Sequence, residues 1–99
     1  MMSPWEKKIK LHIAQNRPIE KEDIKTLVHY YGIDEELERP CRWVTPVTTI
    51  IEFFGHYYMI NWYRGNTEYQ ENEYEAQILE EVEKVEKVVE VEEWVVKKT

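Results

Sequence analysis

A single cysteine and three histidines are the side chains in this sequence best suited to nucleophilic, acid–base or metal chemistry. Cys41 stands between Pro40 and Arg42, and a neighbouring cation favours the reactive thiolate form of a cysteine. The histidines are scattered along the chain, at His12, His29 and His56. No two of them are four residues apart, the spacing that lets two imidazoles on a helix share a metal ion. We therefore interpret Cys41 as an ordinary loop residue and expect neither an enzyme nor a bound cofactor or metal.

Carboxylates are concentrated in one quarter of the chain. Residues 68 to 93 contain eleven Glu and two Lys, a net charge of -9, although the whole chain carries only -7. If residues 68–86 were helical, their eight Glu would follow one another about every 3.6 Å, because a helix rises ~1.5 Å per residue. One DNA strand carries a phosphate every ~3.4 Å of axis. The segment therefore has the charge density to compete with nucleic acid for a cationic groove, and an ordinary solvated helix face is the alternative.

The composition is that of a packed globular chain. Ninety-nine residues fit one domain, 1–99, and 42% hydrophobic with 13% aromatic residues exclude a disordered protein. The net charge disfavours direct binding to nucleic acid or to anionic membranes, because cationic side chains drive such binding. One cysteine excludes an internal disulfide, and no apolar run reaches the ~18 residues of a membrane span. We expect an intracellular protein that is not bound to a membrane.

Two helices are predicted in residues 1–39. Ser3 before Pro4 is an N-cap and first-turn signal, and the apolar residues that follow recur at helical spacing, which predicts a helix to about residue 15. A second amphipathic stripe runs from residue 19 to 31 and ends at Gly32, which we expect to be a left-handed cap. Residues 1–39 are therefore predicted to form a helical hairpin.

The remainder, residues 43–99, is predicted to form a sheet and one acidic helix. Residues 43–63 are rich in β-branched and aromatic side chains, which predicts a hairpin turning at about Gly55 and His56. A spacing of 4, 4 and 3 residues from Tyr74 to Val85 predicts a helix near 72–86. A last strand is expected over residues 88–96. The fold class is thus α+β, with an antiparallel sheet of about three strands.

Two further functions are compatible with these elements. The helical hairpin is similar to part of a helix-turn-helix, a unit of DNA-binding regulators, and its first half offers four cations: Lys7, Lys8, Lys10 and Arg17. Its second helix, however, begins with a run of charges, Glu20 to Asp23, that is mostly acidic. The other function is that of a homo-oligomeric interaction module, for example a homodimer that forms through exposed strand edges.

A family resemblance adds a specific expectation. The block at residues 57–73, which reads YYMINWYRGNTEYQENE, resembles small acidic proteins encoded by phages and prophages, as do Gln77 and the terminal VEVEEW at residues 89–94. Such proteins are similar in size and acidity to anti-CRISPR proteins. The resemblance implies a viral counter-defence role in the cytoplasm of a bacterial host, in which the protein inhibits an RNA-guided nuclease by occupying its DNA-binding surface. It supplies no catalytic residue.

The charge distribution and the resemblance together predict a non-enzymatic inhibitor that acts as a DNA mimic. An RNA-guided nuclease holds its heteroduplex in a positively charged channel, which a row of carboxylates would fit. Two tyrosines are expected to anchor the contact, because interface energy concentrates in a few aromatic or paired charged residues. The predicted partner-binding residues are Glu68, Tyr69, Glu71, Glu73, Tyr74, Glu75, Glu80 and Glu83.

Overall fold

The structure is a computed structural model that describes residues 2–40, 43–67, 70–86 and 92–97. It shows an α+β fold with two helices followed by an antiparallel sheet of five strands. The elements are α1 (Pro4–Ala14), α2 (Lys21–Tyr31), β1 (Gly32–Leu37), β2 (Val44–Phe53), β3 (His56–Gly65), β4 (Glu80–Glu86) and β5 (Glu92–Val96). Each strand pairs with the next along the chain, so the sheet is a meander in the order β1 to β5. The α+β prediction is confirmed, although the sheet has five strands rather than about three.

Both predicted helices form. At α1 the Ser3 hydroxyl accepts a hydrogen bond from the Glu6 amide, and the Glu6 carboxylate accepts one from the Ser3 amide. This reciprocal pair satisfies two donors that a helix start leaves free. The hydrogen bond from the Ser3 amide, together with the Ser3 side chain, holds the pKa of the Glu6 carboxyl below its ordinary value. Helix α1 therefore begins where the Ser-Pro signal predicts.

One carboxylate joins the two helices. Asp23 accepts hydrogen bonds from Trp5 Nε1 and Lys8 Nζ, both at 2.8 Å. Burial raises the pKa of Asp23, but the bonds from Lys8 and Trp5 outweigh it, so the net pKa is lowered. The first turn of α2 is thereby fixed against the middle of α1.

The residues after α2 form a strand, so the prediction of helical structure up to residue 39 is wrong there. Chain direction changes at Gly32, whose φ of -66° is not left-handed, and β1 follows directly. A Cβ at this position would lie 2.7 Å from the Val28 carbonyl oxygen. Glycine is therefore needed at position 32 for close approach to α2, and not as the left-handed cap that the sequence predicts.

Strands β2 and β3 form the predicted hairpin and supply most of the core. Their turn lies at Phe54 and Gly55, one residue earlier than predicted, and both have positive φ, 51° and 81°. Alternate side chains of the two strands face the helices, and Trp62 Nε1 donates to Thr49 Oγ1 at 2.8 Å so that this buried pair is satisfied. The core cluster consists of Ile9, Ile19, Ile24, Leu27, Val47, Ile51, Phe53, Tyr58, Ile60, Trp62 and Leu79.

The acidic helix predicted near residues 72–86 is absent. Residues 70–79 are an irregular segment that runs beside β3, and Glu80–Glu86 is strand β4. Strand β4 pairs with β3 from Tyr57↔Val82 to Met59↔Glu80. The open edge of β3 requires a partner, and β-branched valines suit a strand better than a helix. This tertiary requirement outweighs the helical spacing. Of the predicted strand 88–96, β5 covers residues 92–96, and residues 88–91 lie outside the described residues.

Candidate functional site

The acidic segment that follows β3 is attached to that strand by backbone pairing. The Tyr63 amide donates to the Glu73 carbonyl at 3.0 Å, and the Glu73 amide donates back to the Tyr63 carbonyl at 2.8 Å. Glu73 therefore occupies the position of a strand residue at this one point. Its backbone is fixed, and only its carboxylate is left for other contacts.

Two neighbours of Glu73 direct their side chains toward the sheet. The Tyr74 ring stacks on Trp62 with the ring centroids 5.0 Å apart, and Asn72 Oδ1 accepts a hydrogen bond of 3.0 Å from the Gly65 amide. A Cβ at Gly65 would overlap the carbonyl of Gln70, so only glycine allows the segment to pass so close. Residues 72 and 74 are thus held to β3 through their side chains.

Gln77 fixes the far end of the segment. Its side-chain amide exchanges two hydrogen bonds with the backbone of Asn61, at 3.0 Å and 2.8 Å, and so replaces a strand partner for β3. Its backbone forms a second pair with Ile19, just before α2. The segment is therefore held at both ends and in the middle, between the sheet and the helices.

Glu71, Glu73 and Glu75 form what we call the acidic edge. All three are exposed, and they alternate with Asn72 and Tyr74, whose side chains contact the sheet. Glu73, at the centre, lies in a single β-bridge to Tyr63. Within the described part of the chain, none of the three side chains forms a hydrogen bond or an ion pair, which leaves their charges available to a partner.

Two lysines stand across a groove from the acidic edge. Lys21 and Lys25 of α2 line this groove of about 420 Å³ together with the edge residues. Neither lysine is ion-paired to the edge, but both reduce its local negative potential. The sequence analysis missed this pair because the lysines are about fifty residues away from the edge in the chain.

The other predicted site residues are distributed differently. Glu80 and Glu83 are exposed on β4, but the period of two along a strand places them on opposite faces of the sheet. They do not extend the acidic edge into the single continuous row that a helix would give. Tyr74 is half-buried against Trp62 and positions the edge more than it presents a free ring. Glu68 and Tyr69 lie outside the described residues.

Glu81 of β4, which the sequence does not single out, is bonded to two side chains. His56 Nδ1 donates to Glu81 Oε2 at 2.7 Å, and Lys97 Nζ lies 3.2 Å from the same oxygen. The hydrogen bond from His56, supported by Lys97, holds the pKa of Glu81 below its ordinary value. This carboxylate joins β4 to the β2–β3 hairpin and to the end of β5, so its role is structural.

Other chemistries were considered for several residues, of which the structure describes only some. Cys41 and Arg42 lie outside the described residues, and no group of His, Cys, Asp or Glu among those described could hold a metal ion. Lys8, one cation of the suggested DNA-binding helix, is paired with Asp23. Neither described helix is long and apolar enough to cross a membrane.

Comparison with known proteins leaves the family open. No protein-family model matches the chain, and no curated protein or solved structure is significantly similar to it. The acidic edge and its surroundings are therefore the features from which a function can be inferred.

Proposed function

We propose that this chain is a non-enzymatic, anti-CRISPR-like inhibitor that binds a basic nucleic-acid-binding surface on a protein of its host cell. The acidic edge would occupy that surface and exclude the nucleic acid. The preferred partner class is a bacterial RNA-guided nuclease, whose guide–target channel is positively charged. The protein would act in the cytoplasm of the bacterial host.

The observation that carries this proposal is the exposure of three carboxylates at alternate positions, which have no partner among the described residues. In extended chain, alternate residues are about 6.6 Å apart. Two nucleotides of a DNA strand advance about 6.8 Å along the helix axis. Successive carboxylates would therefore take the positions of alternate phosphates. Arginine side chains that bind phosphate also bind carboxylate, in both cases through two parallel hydrogen bonds.

The attachment of the segment favours tight binding. Glu73 is fixed by two backbone hydrogen bonds and Tyr74 by stacking on Trp62, so the backbone that carries the carboxylates is held in place before the partner arrives. A preorganised surface loses less conformational entropy on association than a flexible one. This feature distinguishes the acidic edge from a disordered acidic tail of the same charge.

The proposal is tested by neutralising the edge without changing its shape. In the triple variant E71Q/E73Q/E75Q each carboxylate becomes an isosteric amide. The control, E20Q/E52Q, removes charge from exposed residues just before α2 and on β2, outside the acidic edge. Each protein competes with labelled target DNA for guide-loaded RNA-guided nucleases of several types.

We expect the wild-type chain and the control to displace DNA from at least one nuclease, and the triple variant to need about tenfold or more protein, since each charged contact contributes ~1.5–3 kcal/mol. Equal potency of the triple variant and the wild type would contradict the role of the edge. Failure of the wild type to displace DNA from any of the nucleases would contradict the partner class.

A further inference from the structure

The outer edge of β1 is a second surface with the properties of a binding site, at a different place from the acidic edge. All six residues of β1 are exposed, and within the described ranges of the chain the strand pairs with β2 alone, on one side. Such an edge is a template on which another extended chain can pair. We propose that the β1 edge binds an extended segment, rich in lysine or arginine, of a protein partner by strand addition.

The register identifies which backbone groups are free. The Glu38 amide donates to the Pro46 carbonyl of β2. Backbone groups point to the partner strand at every second residue of an antiparallel pair, so those of residues 36 and 34 also point toward β2. Glu35 and Leu37 then direct their backbone groups away from the sheet. The Glu35 amide is bonded to Asp34 Oδ1 at 2.9 Å. The Glu35 carbonyl and both backbone groups of Leu37 are left for an added strand.

The carboxylates on and beside β1 favour a basic segment as the added strand. Residues 34–38 carry four carboxylates, of which Glu35 is paired with Arg64 and Asp34 accepts a bond from Trp94. Glu36 and Glu38 have no partner among the described residues, so a basic strand would find two free carboxylates here. A second copy of this chain is disfavoured, because its own β1 would place acidic residues opposite these.

Apolar contacts beside the edge would add affinity. The side chains of Ile33 and Leu37, both on this short strand, are 52% and 54% exposed. A cavity of about 360 Å³ between α2 and β1, lined in part by Val28, Ile33 and Thr49, opens next to them. An occupant that alternates basic with aliphatic residues would use both features, since strand addition places alternate side chains on opposite faces.

The experiment uses the full chain and a synthetic peptide, Thr-Lys-Val-Lys-Val-Lys-Thr, with a peptide of the same pattern that has Glu in place of Lys as control. Binding is measured by calorimetry, and amide hydrogen exchange of the chain is followed by NMR with and without peptide. The decisive signal is the Leu37 amide, which the register leaves unbonded in the free chain and which strand addition would bond. We expect the lysine peptide to bind and to slow exchange at Leu37, and the Glu peptide not to bind.

Two variants complete the test. Leu37→Pro removes an outward donor without removing a bond to β2, and E36Q/E38Q removes the two free charges while it leaves the backbone intact. Each should weaken peptide binding about tenfold, the effect of losing one or two hydrogen bonds or charged contacts. The proposal is overturned if the lysine peptide does not bind, if Leu37 exchanges equally fast in the complex, or if E36Q/E38Q binds as the wild type does. The triple variant of the acidic edge should bind the peptide normally, so failure here and failure of the proposed nuclease inhibition are distinguishable.

Discussion

Trp94 of β5 donates a hydrogen bond from Nε1 to Oδ2 of Asp34 in β1, at 2.6 Å, across sixty residues of sequence. These two strands lie at opposite ends of the five-stranded sheet, so the bond shows that the sheet curls enough for one side chain of β5 to reach β1. The Trp94 ring also packs on Tyr57, with centroids 5.1 Å apart. The face opposite the helices is thereby partly covered, which agrees with the burial of Ile50 and Val82 there.

Removing this bond should destabilise the fold without changing its topology. Trp94→Phe keeps a ring against Tyr57 and loses the donor, and we expect a loss of about 1 kcal/mol in the free energy of unfolding. Trp94→Ala should lose more, because the ring contact disappears as well. Urea denaturation of both variants measures this. Equal stability of Trp94→Phe and the wild type would show that the two edges do not depend on the bond.

A substitution in the β2–β3 turn should stabilise the fold. Positive φ at both central residues is the signature of a type I′ turn, in which Asn-Gly is favoured and a phenylalanine is strained. Phe54→Asn should therefore raise the free energy of unfolding by about 0.5–1 kcal/mol, although it loses the contact with the Lys10 ammonium, 5.0 Å from the Phe54 ring centroid. Thermal unfolding of this variant beside Phe54→Ala checks the sign. A lower midpoint for Asn than for Ala would rule out this conformational explanation.

Glycine at position 65 should be required for the acidic edge to keep its place. A methyl group there overlaps the Gln70 carbonyl, a backbone atom that cannot rotate away, so Gly65→Ala should cost about 1–3 kcal/mol. Chemical shifts of residues 70–74 should change while those of α1 do not. Unchanged shifts over residues 70–74 would mean that the segment does not pass Gly65 as closely as described.

Glu81 should contribute to the acid sensitivity of the chain. Its folded-state pKa is lowered by His56 and Lys97, so its contribution to stability is present above the ordinary carboxyl pKa of 4.5 and is lost as the pH falls through the lowered value. Glu81→Gln should be less stable than the wild type at pH 7, and the difference should shrink below pH 4.5. Denaturation at a series of pH values measures this. A difference that stays constant with pH would contradict a role for the ionised carboxylate. Glu52→Gln, on an exposed residue of β2, is the control.

Local signals in the sequence are sufficient for the helices and the central hairpin. Ser3 and Pro4 predict the start of α1 because a capping box depends only on neighbouring residues, and the β-branched run of residues 44–53 predicts β2 for a similar reason. Strand β1 has no such signal. Its residues are exposed and mostly acidic, and they are extended because β2 needs a partner, which is a requirement of the whole sheet.

The candidate site was predictable in part. The exposure of Glu71, Glu73 and Glu75 follows from their charge, but their grouping on one side follows from an extended segment and not from a helix. Valines and glutamates from Val82 onward fit a helical period and a strand period about equally well, and pairing with β3 decides between them. For the same reason the separation of Glu80 from Glu83 could not be foreseen from spacing alone.

The central claim is that the charges of the acidic edge, in their fixed positions, hold the partner. It is tested most directly by the dissociation constant of the complex with an inhibited nuclease at rising salt concentration, for the wild type and for E71Q/E73Q/E75Q. We expect the affinity of the wild type to fall steeply with salt and that of the triple variant to be lower at low salt and to fall less, because screening weakens only interactions between charges. Two parallel curves of equal affinity would contradict the claim.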